Sequence, residues 1–191
     1  MENLLGYLSA LLLALSSWLG GDMSVSEPVV AEVIEVIDGD TIDVLAEGEE
    51  ERVRYIGIDT PEFDHETGGV DCYAEEAKSR NEELVLGKEV MLVKDVRERD
   101  KYGRLLRYVY VGEDSGGQTL VEEGMAKAVY IQPDVSHYQE LKLIEEKARA
   151  SGAGRWSACQ NWCKNSSHDS SNVVNTGFST IRTWFCQKLT N

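Results

Sequence analysis

Histidine and proline are scarce in this 191-residue sequence, three of each. His65, His137 and His168 lie too far apart to build a histidine-based metal centre or relay, which leaves them surface or helix-capping roles. Basic residues are also in short supply, 19 against 34 acidic, and the net charge of -15 argues against a partner recruited by overall positive charge, such as a histone-like DNA packager. No repeat is present, so solenoid architectures drop out, and only residues 166 to 175 approach low complexity. What the chain does have is apolar material: 42% hydrophobic and 8% aromatic residues suffice for one sizeable core and exclude wholesale disorder.

No charged residue occurs from Asn3 to Gly21, and no basic residue precedes that run. Its Leu- and Ala-rich centre, residues 4 to 20, is short for a bilayer span and long for a signal-peptide core, so the expectation is a signal peptide or membrane anchor over residues 1 to 23. The absence of a nearby lipobox-like cysteine argues against a lipoprotein. A polar linker over 24 to 30, a folded body over 31 to 156 and a cysteine-containing tail over 157 to 191 complete the expected organisation. Composition supports the last boundary, since only Asp169 among the acids follows Trp156 whereas Lys164, Arg182 and Lys188 do.

Within the body, Val33 to Ile37, Thr41 to Leu45 and Arg52 to Ile58 read as strands, joined by turns at Asp38-Gly39-Asp40 and Glu47-Gly48-Glu49. A helix is expected over Tyr73 to Leu86, stopped by Gly87, followed by strands over Glu89 to Val93 and Leu105 to Val111. Thr119 to Glu123 reads as a short helix. A last helix starts from a Ser136-x-x-Gln139 capping box and carries Tyr138, Leu141, Ile144 and Ala148 on one stripe. The fold class expected is α+β, mainly β: a five-stranded OB-type Greek-key barrel with about three helices, an architecture that often binds oligonucleotides.

Three polar segments fall at strand ends: Asp38-Gly39-Asp40-Thr41, Arg54 with Asp59-Thr60-Pro61-Glu62, and Asp100-Lys101-Tyr102-Gly103-Arg104. Each alone is an ordinary turn. Together, in this order and spacing, they resemble the staphylococcal nuclease (thermonuclease) family over residues 33 to 156. The resemblance implies that Asp40, Asp59 and the Thr60 carbonyl hold a Ca2+ ion, that Arg54 and Arg104 grip the scissile phosphate, and that Glu62 deprotonates the attacking water. It also places Lys101 and Tyr102 near a terminal phosphate and Tyr130 in the nucleotide pocket, while Gln132 stands where a second aromatic is usual. The implied activity is Ca2+-dependent hydrolysis of DNA and RNA with little sequence preference, leaving 3'-phosphate ends, by an exported or membrane-anchored monomer.

The residue types suit that chemistry. Oxygen-only donors select a hard cation, Ca2+ or Mg2+, over zinc. Charge builds on phosphate oxygens during hydrolysis, and arginine supplies permanent, planar, paired donors to meet it. Asp38 admits two readings, a group that orients the site from behind or a turn residue. Cys72, Cys159, Cys163 and Cys186 allow three complete pairings; the expectation is pairing within the tail, with or without Cys72, and a zinc site from Cys159, Cys163, His168 and Cys186 is the lesser alternative. Two other function classes compete: a barrel that binds nucleic acid or protein without catalysis, and a calcium-stabilised structural domain, which would not need Arg54 and Arg104. The acidic, lysine-poor body further predicts a protein suited to concentrated salt, where the Debye length shrinks to about 3 Å at 1 M.

Overall fold

The computed structural model describes residues 28–64 and 69–159. The expected apolar anchor, most of the tail, His65, His168, Cys163 and Cys186 lie outside them. Strands β1 (Val29–Val36), β2 (Thr41–Ala46) and β3 (Glu49–Tyr55) form an antiparallel meander. Short strands β4 (Ile58–Asp59), β5 (Phe63–Asp64) and β6 (Gly69–Val70) lead into helix α1 (Ala74–Val85). Then come β7 (Glu89–Val93), β8 (Leu105–Val111), β9 (Asp114–Ser115), helix α2 (Gly116–Glu122), β10 (Lys127–Ala128) and helix α3 (Tyr138–Ser151).

The principal sheet runs β3-β2-β1-β7-β8-β9, and a parallel pairing of β3 with β8 closes five of its strands into a barrel. This is the expected OB-type architecture with three helices. Alternating side chains make the interior: Ala31, Val33, Ile42, Val44, Val53, Leu92 and Val109 are buried, with Leu120 and Leu141 capping them from α2 and α3. A bulge between Val33 and Glu35 interrupts the alternation of β1 and leaves Ile34 exposed.

Several boundaries differ from those read in the sequence, for physical reasons. Strand β1 begins four residues before Val33 because Val29 to Glu32 pair with β7. The run Tyr55-Ile56-Gly57-Ile58 is not one strand. Gly57 adopts φ 80°, and the turn it makes separates β3 from β4 and so delivers Asp59 beside Asp40. Helix α2 starts three residues before Thr119, where the Ser115 hydroxyl accepts from the Gln118 N–H at 3.3 Å. The capping box does not form. Asp95 takes both the N–H and the hydroxyl of Ser136, at 3.0 and 2.8 Å, and α3 starts after His137. His137 instead sets its ring edge-on to Tyr108.

Helix α3 carries Glu145 on its buried face, 1% exposed, where Lys142 at 2.6 Å and Arg149 at 3.0 Å neutralise it. Beyond Gly152 a further helical segment, residues 155–159, is joined to the loop before α1 by a Cys72–Cys159 disulfide. This pairing is the one that includes Cys72: it links Cys159 of the tail to the body and removes it from the alternative zinc set.

Candidate active site

Asp40 ends the turn between β1 and β2 and is 3% exposed. Its Oδ2 accepts from the Thr60 N–H at 2.9 Å and the Thr60 hydroxyl at 3.0 Å, and its Oδ1 accepts from the Thr41 hydroxyl at 3.2 Å. Burial pushes its carboxyl up to about 7, against the pull of the Arg54 guanidinium, with Asp38 adding to the rise. A proton on Asp40 therefore competes with any cation for the site near neutrality.

Arg54, near the end of β3, reaches across both acids. Its Nη1 lies 3.0 Å from Asp40 Oδ2 and its Nη2 lies 3.2 Å from Asp59 Oδ1. Nη1 also donates to the carbonyls of Tyr55 and Ile58, each at 3.0 Å, which fixes the guanidinium inside the β3–β4 turn. Lys127 of β10 completes the cluster with Nζ 2.8 Å from Asp59 Oδ2. Two carboxylates thus share the Arg54 guanidinium, with Lys127 on one of them and the Thr60 N–H on the other.

That donor set fits a hard divalent ion. It is all oxygen, and among the described residues no group of three His, Cys, Asp or Glu side chains could cage a metal. The cluster offers two carboxylates, so a calcium ion there would take most of its six to eight oxygen ligands from elsewhere, water included.

Asp38 proves to be a turn residue. Its Oδ1 accepts from the Asp40 N–H at 2.9 Å, closing the Asx turn that aims Asp40 inward. Asn81 of α1 secures the same turn from beneath, donating to the Asp38 carbonyl at 3.2 Å while accepting from the Tyr55 hydroxyl at 3.0 Å.

The third polar segment, between β7 and β8, is organised by Asp100. Its Oδ1 accepts from the N–H groups of Tyr102 and Arg104, at 2.8 and 3.0 Å, and its Oδ2 receives Arg104 Nε at 2.7 Å. Lys101 and Arg104 both approach the exposed ring of Tyr102, at 4.8 and 5.4 Å from its centre. Arg54, Arg97, Lys101, Tyr102, Arg104 and Ile131 share one cleft of about 300 Å³. Its lining holds four cationic side chains against two carboxylates, Asp100 and Asp134, a local excess of positive charge on a chain of net -15.

The structure therefore brings Asp40, Arg54, Asp59 and Thr60 into one cluster and Arg54, Lys101, Tyr102 and Arg104 into one cleft. Glu62 stands apart on the loop after β4, exposed and without an ion pair among the described residues; Asp71 holds its backbone, accepting from the Glu62 N–H at 3.4 Å and donating to its carbonyl at 3.0 Å. Tyr130 does not line the cleft. Its ring packs on Tyr138 and its hydroxyl accepts from Gln132, which leaves the neighbouring Ile131 as the apolar lining there.

Four contributors escaped the sequence reading: Lys127, Asn81, Arg97 and Asp134. The run Arg97-Glu98-Arg99-Asp100-Lys101 carries some signal for Arg97 in its charge alone. The others have none, since their partners are distant in sequence.

The chain resembles proteins already known. Residues 52–158 match the family model described as staphylococcal nuclease homologue. Endonuclease YncB of Bacillus subtilis is 42% identical over 123 residues, which are 63% of this chain and 58% of that protein. The SPbeta prophage-derived endonuclease YokF of the same organism is also 42% identical over 123 residues, 63% of this chain and 42% of that protein. The thermonuclease of Staphylococcus hyicus is 34% identical over 126 residues, 66% of this chain and 75% of that protein. The chain thus spans about half the length of the two Bacillus relatives. With more than half of the 191 residues inside the family model, and three quarters of a thermonuclease aligned to it, the chain belongs to the staphylococcal nuclease family.

Proposed function

We propose that this protein is a Ca2+-dependent phosphodiesterase that cleaves DNA and RNA with little sequence preference and leaves 3'-phosphate ends. One observation carries the reading: Arg54 belongs both to the two-carboxylate cluster and to the cationic cleft, so cation site and phosphate site adjoin. A calcium-stabilised structural domain has no use for such a cleft.

A bound Ca2+ supplies Lewis-acid stabilisation of the phosphate oxygens. Asp40 and Asp59, with the Thr60 carbonyl, would hold it. Arg54 and Arg104 meet the equatorial oxygens, where paired donors stabilise the developing charge more than the ground state. Arg54, ion-paired with Asp40 and Asp59, also lines the cleft, so its guanidinium is within reach of both the carboxylates and a bound phosphate. Glu62 accepts the proton of the attacking water, help worth roughly a hundredfold to ten-thousandfold. Its exposed place on the loop gives it access to solvent.

Export or membrane anchoring through residues 4 to 20, and action as a monomer outside the cell, belong to the same proposal. The Cys72–Cys159 disulfide supports it, because such bonds persist in oxidising compartments. In concentrated salt the acidic body is screened and substrate encounter is left to the cleft. The test is the full chain with single-stranded DNA and with RNA, with calcium or with excess chelator, in dilute and in molar salt. Chelator-sensitive cleavage with 3'-phosphate products is expected, rising with salt. Binding without cleavage under every condition would establish the non-catalytic barrel instead.

A further inference from the structure

We infer that Arg97 is a further phosphate-binding residue, one that takes a phosphodiester neighbouring the scissile one on an extended strand. Its backbone N–H and its Nε both donate to Asp134, at 2.8 and 2.6 Å, and Asp134 also accepts from the Val96 N–H at 3.0 Å. Asp134 is 2% exposed, and these donors together hold its carboxyl below the usual carboxylate range although burial opposes them. One edge of the guanidinium is therefore fixed to a buried, ionised anchor. The terminal nitrogens Nη1 and Nη2 have no hydrogen-bond partner among the described residues, and the side chain, 39% exposed, lines the same cleft as Arg54 and Arg104.

A surface arginine ordinarily loses rotamer freedom when it grips a ligand. Here folding has already removed part of that freedom, because the Nε contact to Asp134 holds the guanidinium while the backbone N–H groups of Val96 and Arg97 hold the carboxylate in place. What remains is a rigid pair of donors spaced for two oxygens of one anion. Arg54 and Arg104 account for the scissile phosphate, so a further anion in this cleft must be another phosphate of the same polymer. Ile131 and Tyr102, 52% and 71% exposed, offer apolar surface to the intervening base.

This inference rests on the proposed function, and the two can fail separately. Full-length wild type, Arg97→Gln and Arg97→Lys are titrated with a fluorescent oligothymidylate in excess chelator between about 50 and 200 mM salt. One lost phosphate contact on a single strand makes the slope of log affinity against log salt shallower by about 0.7 in Arg97→Gln, with affinity about fivefold lower. Arg97→Lys recovers the slope. Affinity for thymidine mononucleotide, too short to reach a second phosphate, stays the same in all three. An unchanged slope in Arg97→Gln overturns the inference. So does a parallel loss of mononucleotide affinity and thermal stability in both variants, which would make Arg97 a brace for the loop. A wild type that binds no oligothymidylate overturns the nuclease reading and this inference with it.

Discussion

Replacing Cys72 and Cys159 together with alanine removes a bridge that spans 87 positions of sequence. In the chain-entropy account, closing a loop of that size removes roughly 15 cal/mol/K from the unfolded chain, or about 4 to 5 kcal/mol at 25 °C. For a body of this size, each kcal/mol moves the thermal midpoint by about 3 to 4 °C, so the double variant should melt about 15 °C lower. The bridge also anchors Cys72 beside Asp71, which grips the backbone of Glu62 on both sides. Turnover should accordingly fall at temperatures where the variant is still folded. Thermal scans of oxidised wild type and of the variant in one buffer, with thiol titration to confirm the wild-type bridge, make the comparison. A shift of less than about 5 °C would refute the loop-entropy reasoning. Full turnover in the folded variant would refute the link to Glu62.

Glu62→Gln should keep oligonucleotide affinity while turnover drops by roughly a hundredfold or more; unchanged turnover in a steady-state assay removes Glu62 from the chemistry. Lys127→Met should bind Ca2+ about fivefold more tightly by calorimetry, because the ammonium 2.8 Å from Asp59 no longer competes for that carboxylate, and weaker binding would contradict the competition. Although burial opposes them, hydrogen bonds from Val96 and Arg97 hold the Asp134 carboxyl below the usual carboxylate range, so its contribution to stability is present above the unfolded pKa and is lost as pH falls through the folded one. Denaturant unfolding should therefore show Asp134→Asn well below wild type at neutral pH and converging on it in acid. A gap that does not change with pH would count against an ionised anchor.

The barrel was legible because its strands alternate and its turns are marked. Glu47-Gly48 shows this best: both residues take positive φ, 53° and 88°, and Gly48 adopts such angles at no steric cost. Asp40, Arg54, Asp59, Thr60 and Arg104 were legible as types at fixed spacing, and the fold supplies their convergence. Ser136 was misread because Asp95, 41 residues away, outcompetes the helix for its hydroxyl. The pairing of Arg97 with Asp134 was hidden for the same reason, since the two stand 37 positions apart in sequence. Asn81 carries no local signal in the sequence, and it is fully buried beneath the Asp38 turn. Local patterns report turns and alternation, whereas a buried polar partner is chosen by the closed barrel.

The parallel seam of β3 with β8 is only three residue pairs long, Val53 with Leu105, Arg54 with Leu106 and Tyr55 with Arg107. Arg54 sits in that seam, and Arg104 immediately precedes it on the other strand. Pairings of such sequence separation carry a large loop-closure cost and belong to the slow part of folding. The two arginines meet across the cleft only when the seam has closed. An unfolded chain therefore holds Arg54 and Arg104 apart, and nucleic acid that meets it faces only a polypeptide of net charge -15.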